Sequence, residues 1–221
     1  MSSGACPVVL AAPSGTGKTT LAHRLVEGPG RYVFSVSATT RRPRTGEVDG
    51  VDYHFVDRAG FEAMVARGEL VEWAEVHGRL YGTPRAELER AGARGEHVVL
   101  DIDVQGARQI KARITDAKLV FVLPPDIDTL MARLTGRGSE TPETVARRLH
   151  TALQELQAVE DFDYVVFNDD LERCLDEIRA IVAGQVRPGS TGVAMEGART
   201  LRAEIGRILA EEYAEYTNAK S

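Results

Sequence analysis

The chain has 221 residues, 43% of them hydrophobic and 27% charged, which is typical of a globular protein with room for a sizeable core. Its formal net charge of -6 argues against broad binding to nucleic acid or an anionic membrane, and no apolar run is long enough to predict a transmembrane helix or a signal peptide. Because Cys6 and Cys174 show no Cys-x-x-Cys spacing, we expect neither a disulfide framework nor a cysteine-ligated metal, and we expect a cytoplasmic protein.

Short β-branched runs alternate with helical stretches along the chain. The runs are "VVLA" (8–11), "YVFSV" (32–36), "HVVLDI" (97–102), "KLVFVL" (118–123) and "DYVVF" (163–167). The helical stretches are 18–27, 104–112, 126–135, 142–160 and 169–184. Nearly continuous apolar strands between helices predict an α/β fold with a parallel sheet flanked by helices.

Three segments fall outside this alternation. Residues 37–95 are rich in Arg, Gly, Glu and aromatic residues, which favours an inserted subdomain, and residues 126–160 favour a helical hairpin with a mobile turn that carries arginine. After Pro188, the composition of "GSTGVAMEG" predicts a flexible linker. The helical spacing of the apolar residues in 198–216 then predicts a C-terminal helix that packs on the body of the protein in preference to another chain.

The stretch "APSGTGKTT" (12–20) lies between the first strand and the first helix, as a phosphate-binding loop requires. Backbone N–H groups and the positive end of the helix can hold phosphate there, Lys18 can reach the β- and γ-phosphates, and the Thr19 hydroxyl can ligate Mg²⁺. Ala12 replaces the first glycine of the usual pattern, at a point where a methyl group fits if the local φ is negative. The loop therefore predicts a nucleoside triphosphate but does not distinguish a GTPase, an ATPase and a kinase.

Three further blocks follow in the chain, namely "SATTRRPR" (37–44), "LVEWAEVHGRLYGTPRAEL" (70–88) and "LDIDVQGA" (100–107). Together with the loop and "RLTGRGSETPETVARRL" (133–149), they resemble the guanylate kinase family, whose members phosphorylate GMP to GDP. The resemblance runs as far as "FNDD" (167–170). It implies a P-loop NTPase-type sheet with an inserted GMP-binding subdomain and a helical lid.

Domain boundaries follow from the same resemblance. The core P-loop domain would comprise residues 1–36, 91–125 and 158–188, with the GMP-binding subdomain at 37–90 and the lid at 126–157. Residues 189–221 would form the C-terminal linker and helix. The sequence does not distinguish a monomer from a homo-oligomer.

The resemblance also implies roles for individual residues. The ATP-binding set would be Ala12, Pro13, Ser14, Gly15, Thr16, Gly17, Lys18, Thr19, Thr20, Arg133, Arg137 and Asn168, with Asn168 touching adenine. The GMP phosphate would be held by Ser37, Arg41, Arg44, Tyr53 and Tyr81, and the base would be read by Glu72, Thr83 and Asp101. Carboxylates suit guanine because its N1–H and 2-amino group are donors. Asp103 would belong to this GMP-binding set, either orienting Mg²⁺-bound water or holding an arginine.

Phosphoryl transfer depends on positioning and on charge neutralisation, and a GMP phosphate oxygen is already anionic, so no general base is required. By the resemblance, the catalytic set would be Lys18, Arg41 and the lid arginines Arg133, Arg137 and Arg148, acting with Mg²⁺ on ATP and GMP. Two alternatives remain open: a guanylate-kinase-like module that binds phosphorylated proteins, and a kinase of another nucleoside monophosphate. The intact loop and lid arginines argue against the first, and the Glu72–Asp101 pair argues against the second.

Overall fold

The computed structural model describes residues 5–76, 78–136, 140–189 and 192–217. The chain divides into two compact units, one comprising residues 1–9 and 22–118 and the other residues 10–21 and 119–221. The larger sheet has the strand order Tyr32–Phe34, His97–Asp101, Pro7–Ala11, Lys118–Leu123 and Tyr164–Phe167, and a second sheet has the order His54–Phe55, Ala38–Thr39, Arg79–Pro84 and Leu70–Val76. Among the described residues, no helix combines the length and the apolar character needed to cross a membrane.

The elements up to residue 113 are β1 (Pro7–Ala11), α1 (Lys18–Glu27), β2 (Tyr32–Phe34), β3 (Ala38–Thr39), β4 (His54–Phe55), α2 (Arg58–Ala66), β5 (Leu70–Val76), β6 (Arg79–Pro84), α3 (Arg85–Arg94), β7 (His97–Asp101) and α4 (Val104–Arg113). In the first unit β2 runs parallel to β7, with Tyr32 opposite His97. In the same unit β5 runs antiparallel to β6, with Glu72 opposite Thr83. A small apolar core supports this second sheet and contains Ala38, Phe61, Leu70 and Leu80.

The later elements are β8 (Lys118–Leu123), α5 (Ile127–Thr135), α6 (Pro142–Gln157), a 3-10 helix (Val159–Asp161), β9 (Tyr164–Phe167), α7 (Leu171–Val182), α8 (Gly192–Glu211) and α9 (Ala214–Thr217). In the second unit β8 runs parallel to β9, with Val120 opposite Tyr164. Residues 119–123 of β8 are buried, which is the expected state of a strand covered on both faces. The predicted α/β class with a parallel sheet and flanking helices is therefore confirmed.

The sequence-based bounds match the structure closely for α1 and β8, while the long helix predicted over 142–160 ends at Gln157 and continues as the 3-10 helix. The predicted linker over 189–197 is wrong in part, because α8 already begins at Gly192. Glycines made this stretch look flexible, but Ala194 and Ala198 are buried, and packing outweighs the low helix propensity of Gly. As predicted, the C-terminal helix packs on its own chain, against α6 and β9.

Candidate functional site

The phosphate-loop residues of the second unit follow directly after β1 and end where α1 begins. Gly15 and Gly17 adopt φ values of +87° and +90°, which are accessible to glycine and strained for other residues. The buried Thr16 closes the turn, since its hydroxyl and its backbone N–H both donate to the Pro13 carbonyl, at 2.7 and 3.2 Å. Ala12 is only 5% exposed, so its methyl group belongs to the packed end of the strand.

Two side chains hold the loop by donating to a single acceptor, the carbonyl oxygen of Thr16. Arg133 Nη1 in α5 lies 2.7 Å from this oxygen, and Asn168 Nδ2 after β9 lies 2.8 Å from it. A carbonyl fixed in this way cannot turn into the loop, which favours the orientation in which the neighbouring N–H groups face an anion. Arg133 and Asn168, both predicted to bind ATP, thus have a structural role in shaping the loop.

The two glycines of the loop are also required by close packing. A Cβ atom at Gly15 would lie 3.1 Å from Leu134 Cδ2, and one at Gly17 would lie 3.1 Å from Asn168 Nδ2. Both positions therefore combine a positive φ with little room for a side chain. Any substitution there would strain the backbone and push on residues that hold the loop.

Two further contacts of the second unit involve α6. Glu155 Oε2 accepts a hydrogen bond from the Ser14 N–H at 3.1 Å. Arg148 Nη1 donates to the Leu134 carbonyl at 2.7 Å, near the end of α5, and lies 3.6 Å from Glu140 Oε1. Arg148 is half-buried whereas Arg147 is exposed, so the two adjacent arginines do point in different directions. Arg137, the third arginine of the predicted catalytic lid, lies outside the described residues.

In the first unit, Glu72, which the sequence predicts to read the base of GMP, is a buried carboxylate. Glu72 in β5 is 4% exposed, and its Oε1 accepts a hydrogen bond from the Thr83 hydroxyl of β6 at 2.6 Å. Burial raises the pKa of Glu72 to about 7; Asp103 adds to this shift, whereas the hydrogen bond from Thr83 opposes it. The pair therefore offers strong hydrogen-bond acceptors in a desolvated place, which suits a planar group rich in N–H donors.

Asp103 has a clear structural partner. Its Oδ1 accepts a hydrogen bond from the Gly106 N–H at 2.8 Å and so caps the N-terminus of α4. A Cβ atom at Gly106 would lie 2.7 Å from Glu72 Oε2, so the helix start gives the carboxylate its space. Neither of the two roles considered for Asp103 includes this cap, and the position of Asp103 makes it a support of the Glu72 site.

The residues predicted to bind the GMP phosphate form an aromatic and cationic cluster in the same unit. The Arg41 guanidinium carbon lies 5.1 Å from the centre of the Tyr53 ring, and the Tyr53 and Tyr81 rings are 6.2 Å apart. Burial, and then the neighbouring Tyr81, raise the pKa of Tyr53, so its hydroxyl stays protonated as a donor. Ser37 stands directly before β3, where its carbonyl accepts the His54 N–H at 2.9 Å.

Arg44 and Asp101 stand at the edge of this cluster. Arg44 is exposed, and its backbone N–H donates to Glu47 Oε2 at 2.7 Å. Asp101 ends β7 and is close enough to Tyr53 to add to the raised pKa of that tyrosine. The structure thus groups Arg41, Tyr53, Tyr81 and Asp101, and separately Glu72, Thr83 and Asp103.

Three residues that sequence reasoning missed contact these predicted sites. Glu47 binds Arg41 and the backbone of Arg44, Glu155 binds the loop at Ser14, and Gly106 gives room to Glu72. Nothing in the spacing of Glu47 or of Glu155 distinguishes these two acids from solvated surface residues. The sequence indicates a role for Gly106 only weakly. Glycine is unfavourable in a helix, so a glycine in the first turn suggests that another group packs closely against it.

A strand, a glycine loop with two positive-φ residues and a helix, carried by a parallel α/β sheet, define the P-loop class of nucleotide-binding proteins. The family model described as "Guanylate kinase" matches residues 4–185. With that match over most of its length, the chain belongs to the guanylate kinase family.

Individual relatives agree with the family match. The chain is 49% identical over 179 residues to the guanylate kinase of Myxococcus xanthus, covering 80% of this chain and 86% of that protein. It is 51% identical over 173 residues to that of Nocardia farcinica, covering 77% and 90%, and 47% identical over 210 residues to that of a Thermus thermophilus strain, covering 93% and 95%. Among solved structures, guanylate kinase from Anaplasma phagocytophilum superposes with a TM-score of 0.68 at 32% identity, covering 96% of this chain and 97% of that one.

Proposed function

We propose that the protein transfers the γ-phosphoryl group of ATP to GMP, giving ADP and GDP. The observation that carries the choice of acceptor is the buried Glu72–Thr83 pair, because its carboxylate can accept from guanine N1–H and the 2-amino group. Adenine has neither of these donors and would leave the buried carboxylate without the donors of the base, with the hydrogen bond from Thr83 still in place, at a cost of about 1–3 kcal/mol. Membership of the guanylate kinase family supports the same reaction.

On the donor side, the loop N–H groups and the first turn of α1 would bind the phosphates of ATP, with Lys18 on the β- and γ-phosphates. Thr19 is an exposed residue in the first turn of α1. Within the described residues, no group of three or more His, Cys, Asp or Glu side chains is arranged so that it could hold a metal ion. One hydroxyl oxygen with phosphate oxygens and water is the hard donor set that Mg²⁺ takes at nucleotide sites, so the residues fit that ion.

When bound, Mg²⁺ would neutralise charge on the β- and γ-phosphates. Lys18, Arg133 and Arg148 would neutralise the charge that remains, together with Arg137. Asn168 would keep its bond to the Thr16 carbonyl and use its other polar atom toward adenine. Pro13, Ser14 and Thr20 would complete the loop around the triphosphate.

On the acceptor side, Ser37, Arg41, Arg44, Tyr53 and Tyr81 would bind the GMP phosphate, and Glu72, Thr83 and Asp101 would bind the base, with Asp103 as their support. An oxygen of the GMP phosphate attacks the γ-phosphorus, the bond between that phosphorus and the β–γ bridging oxygen breaks, and the electron pair stays on ADP. The attacking oxygen is already anionic and the bridging oxygen leaves as an anion on ADP, so the chain's task is to hold two polyanions in line and not to move a proton.

We further propose that the reaction serves purine nucleotide metabolism, including GMP recycling, in the cytoplasm. We keep the division into core, GMP-binding subdomain and lid as part of this proposal, although the boundary placed between residues 90 and 91 falls inside α3.

A coupled assay of ADP release with GMP, AMP, CMP and UMP tests the function. We expect turnover with GMP to exceed that with each of the other three by at least about 100-fold. Comparable turnover with another monophosphate would indicate a different kinase. The absence of turnover with GMP would favour a binding module.

A further inference from the structure

The Glu47 carboxylate holds two of the residues assigned to the GMP phosphate. Its Oε1 lies 2.8 Å from Arg41 Nη2, and its Oε2 lies 2.9 Å from Arg41 Nη1. The same Oε2 accepts the backbone N–H of Arg44 at 2.7 Å. One carboxylate therefore fixes both the Arg41 side chain and the backbone conformation at Arg44.

The way in which Glu47 binds Arg41 decides what the guanidinium can still do. Glu47 takes the end of the group, formed by Nη1 and Nη2, and the second Nη1 proton goes to the Arg42 carbonyl at 2.9 Å. A guanidinium has five N–H donors, so one Nη2 proton and the Nε proton form a second edge of two parallel donors. That edge matches two oxygens of a phosphate.

Aromatic rings hold the same guanidinium from its face. The guanidinium carbon lies 5.1 Å from the centre of the Tyr53 ring and 5.7 Å from that of Phe55. With its end fixed by Glu47 and a face covered by these rings, the group has little rotational freedom left. Arg41 is therefore already ordered in the free protein, so that phosphate binding costs less side-chain entropy.

We propose that Glu47 is a positioning residue for the GMP phosphate, which keeps the Nε–Nη2 edge of Arg41 and the backbone at Arg44 in the geometry that binds phosphate. The proposal rests on the proposed function, in which Arg41 and Arg44 bind that phosphate. Glu47 itself does not contact GMP. A phosphate that binds at the Nε–Nη2 edge of Arg41 leaves all three hydrogen bonds of Glu47 intact. If the phosphate instead had to displace the Glu47 carboxylate, all three hydrogen bonds would be lost.

The test is steady-state kinetics of Glu47→Gln, whose amide cannot accept from all three donors because one of its two polar atoms is itself a donor. We expect KM for GMP to rise about tenfold, the effect of one lost charge-assisted hydrogen bond, while KM for ATP stays unchanged. Glu47→Asp keeps the charge on a shorter side chain and should fall between Gln and the natural residue. In an Arg41→Ala background the Arg44 N–H is the one donor of the three that remains, and the glutamine oxygen can still accept it, so Glu47→Gln should have little further effect on KM for GMP.

Glu69→Gln is the matched control, because Glu69 makes a two-bond pair with Arg67 (Nε to Oε1 at 2.6 Å and Nη2 to Oε2 at 3.0 Å) in the same unit. This control should leave both KM values unchanged. The proposal is overturned if Glu47→Gln leaves KM for GMP unchanged or lowers it, since a lower value would make Glu47 a competitor of the phosphate. A parallel change in both KM values with a lower thermal midpoint would also overturn it. Absence of GMP turnover in the natural protein would instead refute the proposed function.

Discussion

The phosphate loop of the second unit and the Glu72–Arg41 region of the first unit both prepare places for charged ligands, but with different atoms. The loop offers backbone N–H groups, and the side chains of Arg133 and Asn168, which lie outside the loop, fix one of its carbonyls, that of Thr16. The other region offers side chains, namely a buried carboxylate, a guanidinium and two tyrosines. A site made of backbone recognises phosphate of any nucleotide, whereas a site made of side chains can select one base.

Lys18→Ala should have the largest effect. Lys18 begins α1, and its loss removes the one lysine charge that the loop brings to the β- and γ-phosphates. We expect turnover to fall by about 1000-fold or more with an unchanged circular dichroism spectrum and thermal midpoint. A variant that retains a tenth of the natural turnover would show that backbone groups alone suffice.

Gly17→Ala tests the phosphate loop, the site made of backbone groups, without removing any charge. The new methyl group would force a φ near +90° on alanine and would lie 3.1 Å from Asn168 Nδ2. We expect kcat/KM for ATP to fall about 100-fold, with thermal stability reduced by no more than a few degrees. Gly206→Ala is the control, since a Cβ atom at that α8 position meets nothing within 4 Å. Equal kinetics for the two variants would contradict the role given to the loop conformation.

Glu72→Gln tests the Glu72–Arg41 region, the site made of side chains. The glutamine oxygen can still accept from Thr83, but its amide group then presents donors to the donors of guanine. We expect kcat/KM for GMP to fall about 30-fold while KM for ATP stays constant, so that selection against AMP weakens. Unchanged selectivity would refute base reading by Glu72.

The raised pKa of Glu72 predicts the smallest effect, on stability. The folded-state pKa of about 7 exceeds the ordinary value of 4.5, so the folded protein holds an extra proton between these two pH values. Stability therefore falls as pH rises through this window, by about 1 kcal/mol between pH 6 and pH 7. Glu72→Gln should lack that component in urea unfolding curves measured at both pH values. Parallel pH dependences for the two proteins would mean that the carboxylate is charged throughout.

The backbone site was predictable from the sequence because its information is local. The order strand, Gly15, Gly17 and Lys18 fixes a turn and a helix start, and the helix begins at Lys18 as expected. The side-chain site was only partly predictable. Its members were assigned through a family resemblance, but the bonds from Glu47 to Arg41 and Arg44 depend on how the exposed loop between β3 and β4 folds back.

The start of α8 could not be predicted from the sequence either, because it depends on a contact with a residue distant in the chain. Gly192 and Gly197 predict a flexible linker by composition, yet both lie in the helix. A Cβ atom at Gly197 would stand 2.5 Å from Phe167 Cζ, so the glycine is there to let the helix approach β9. The composition shows that residue 197 is glycine, but it does not show that the Phe167 ring packs against this position.

In the proposed reaction, the chain moves the γ-phosphoryl group of ATP to GMP and not to water. Incubation of the protein with γ-³²P-labelled ATP, Mg²⁺ and GMP, followed by separation of the products, tests this directly. We expect the label to appear in GDP in the same amount as the ADP formed. Label recovered as inorganic phosphate, or retained in ATP, would contradict the proposed reaction.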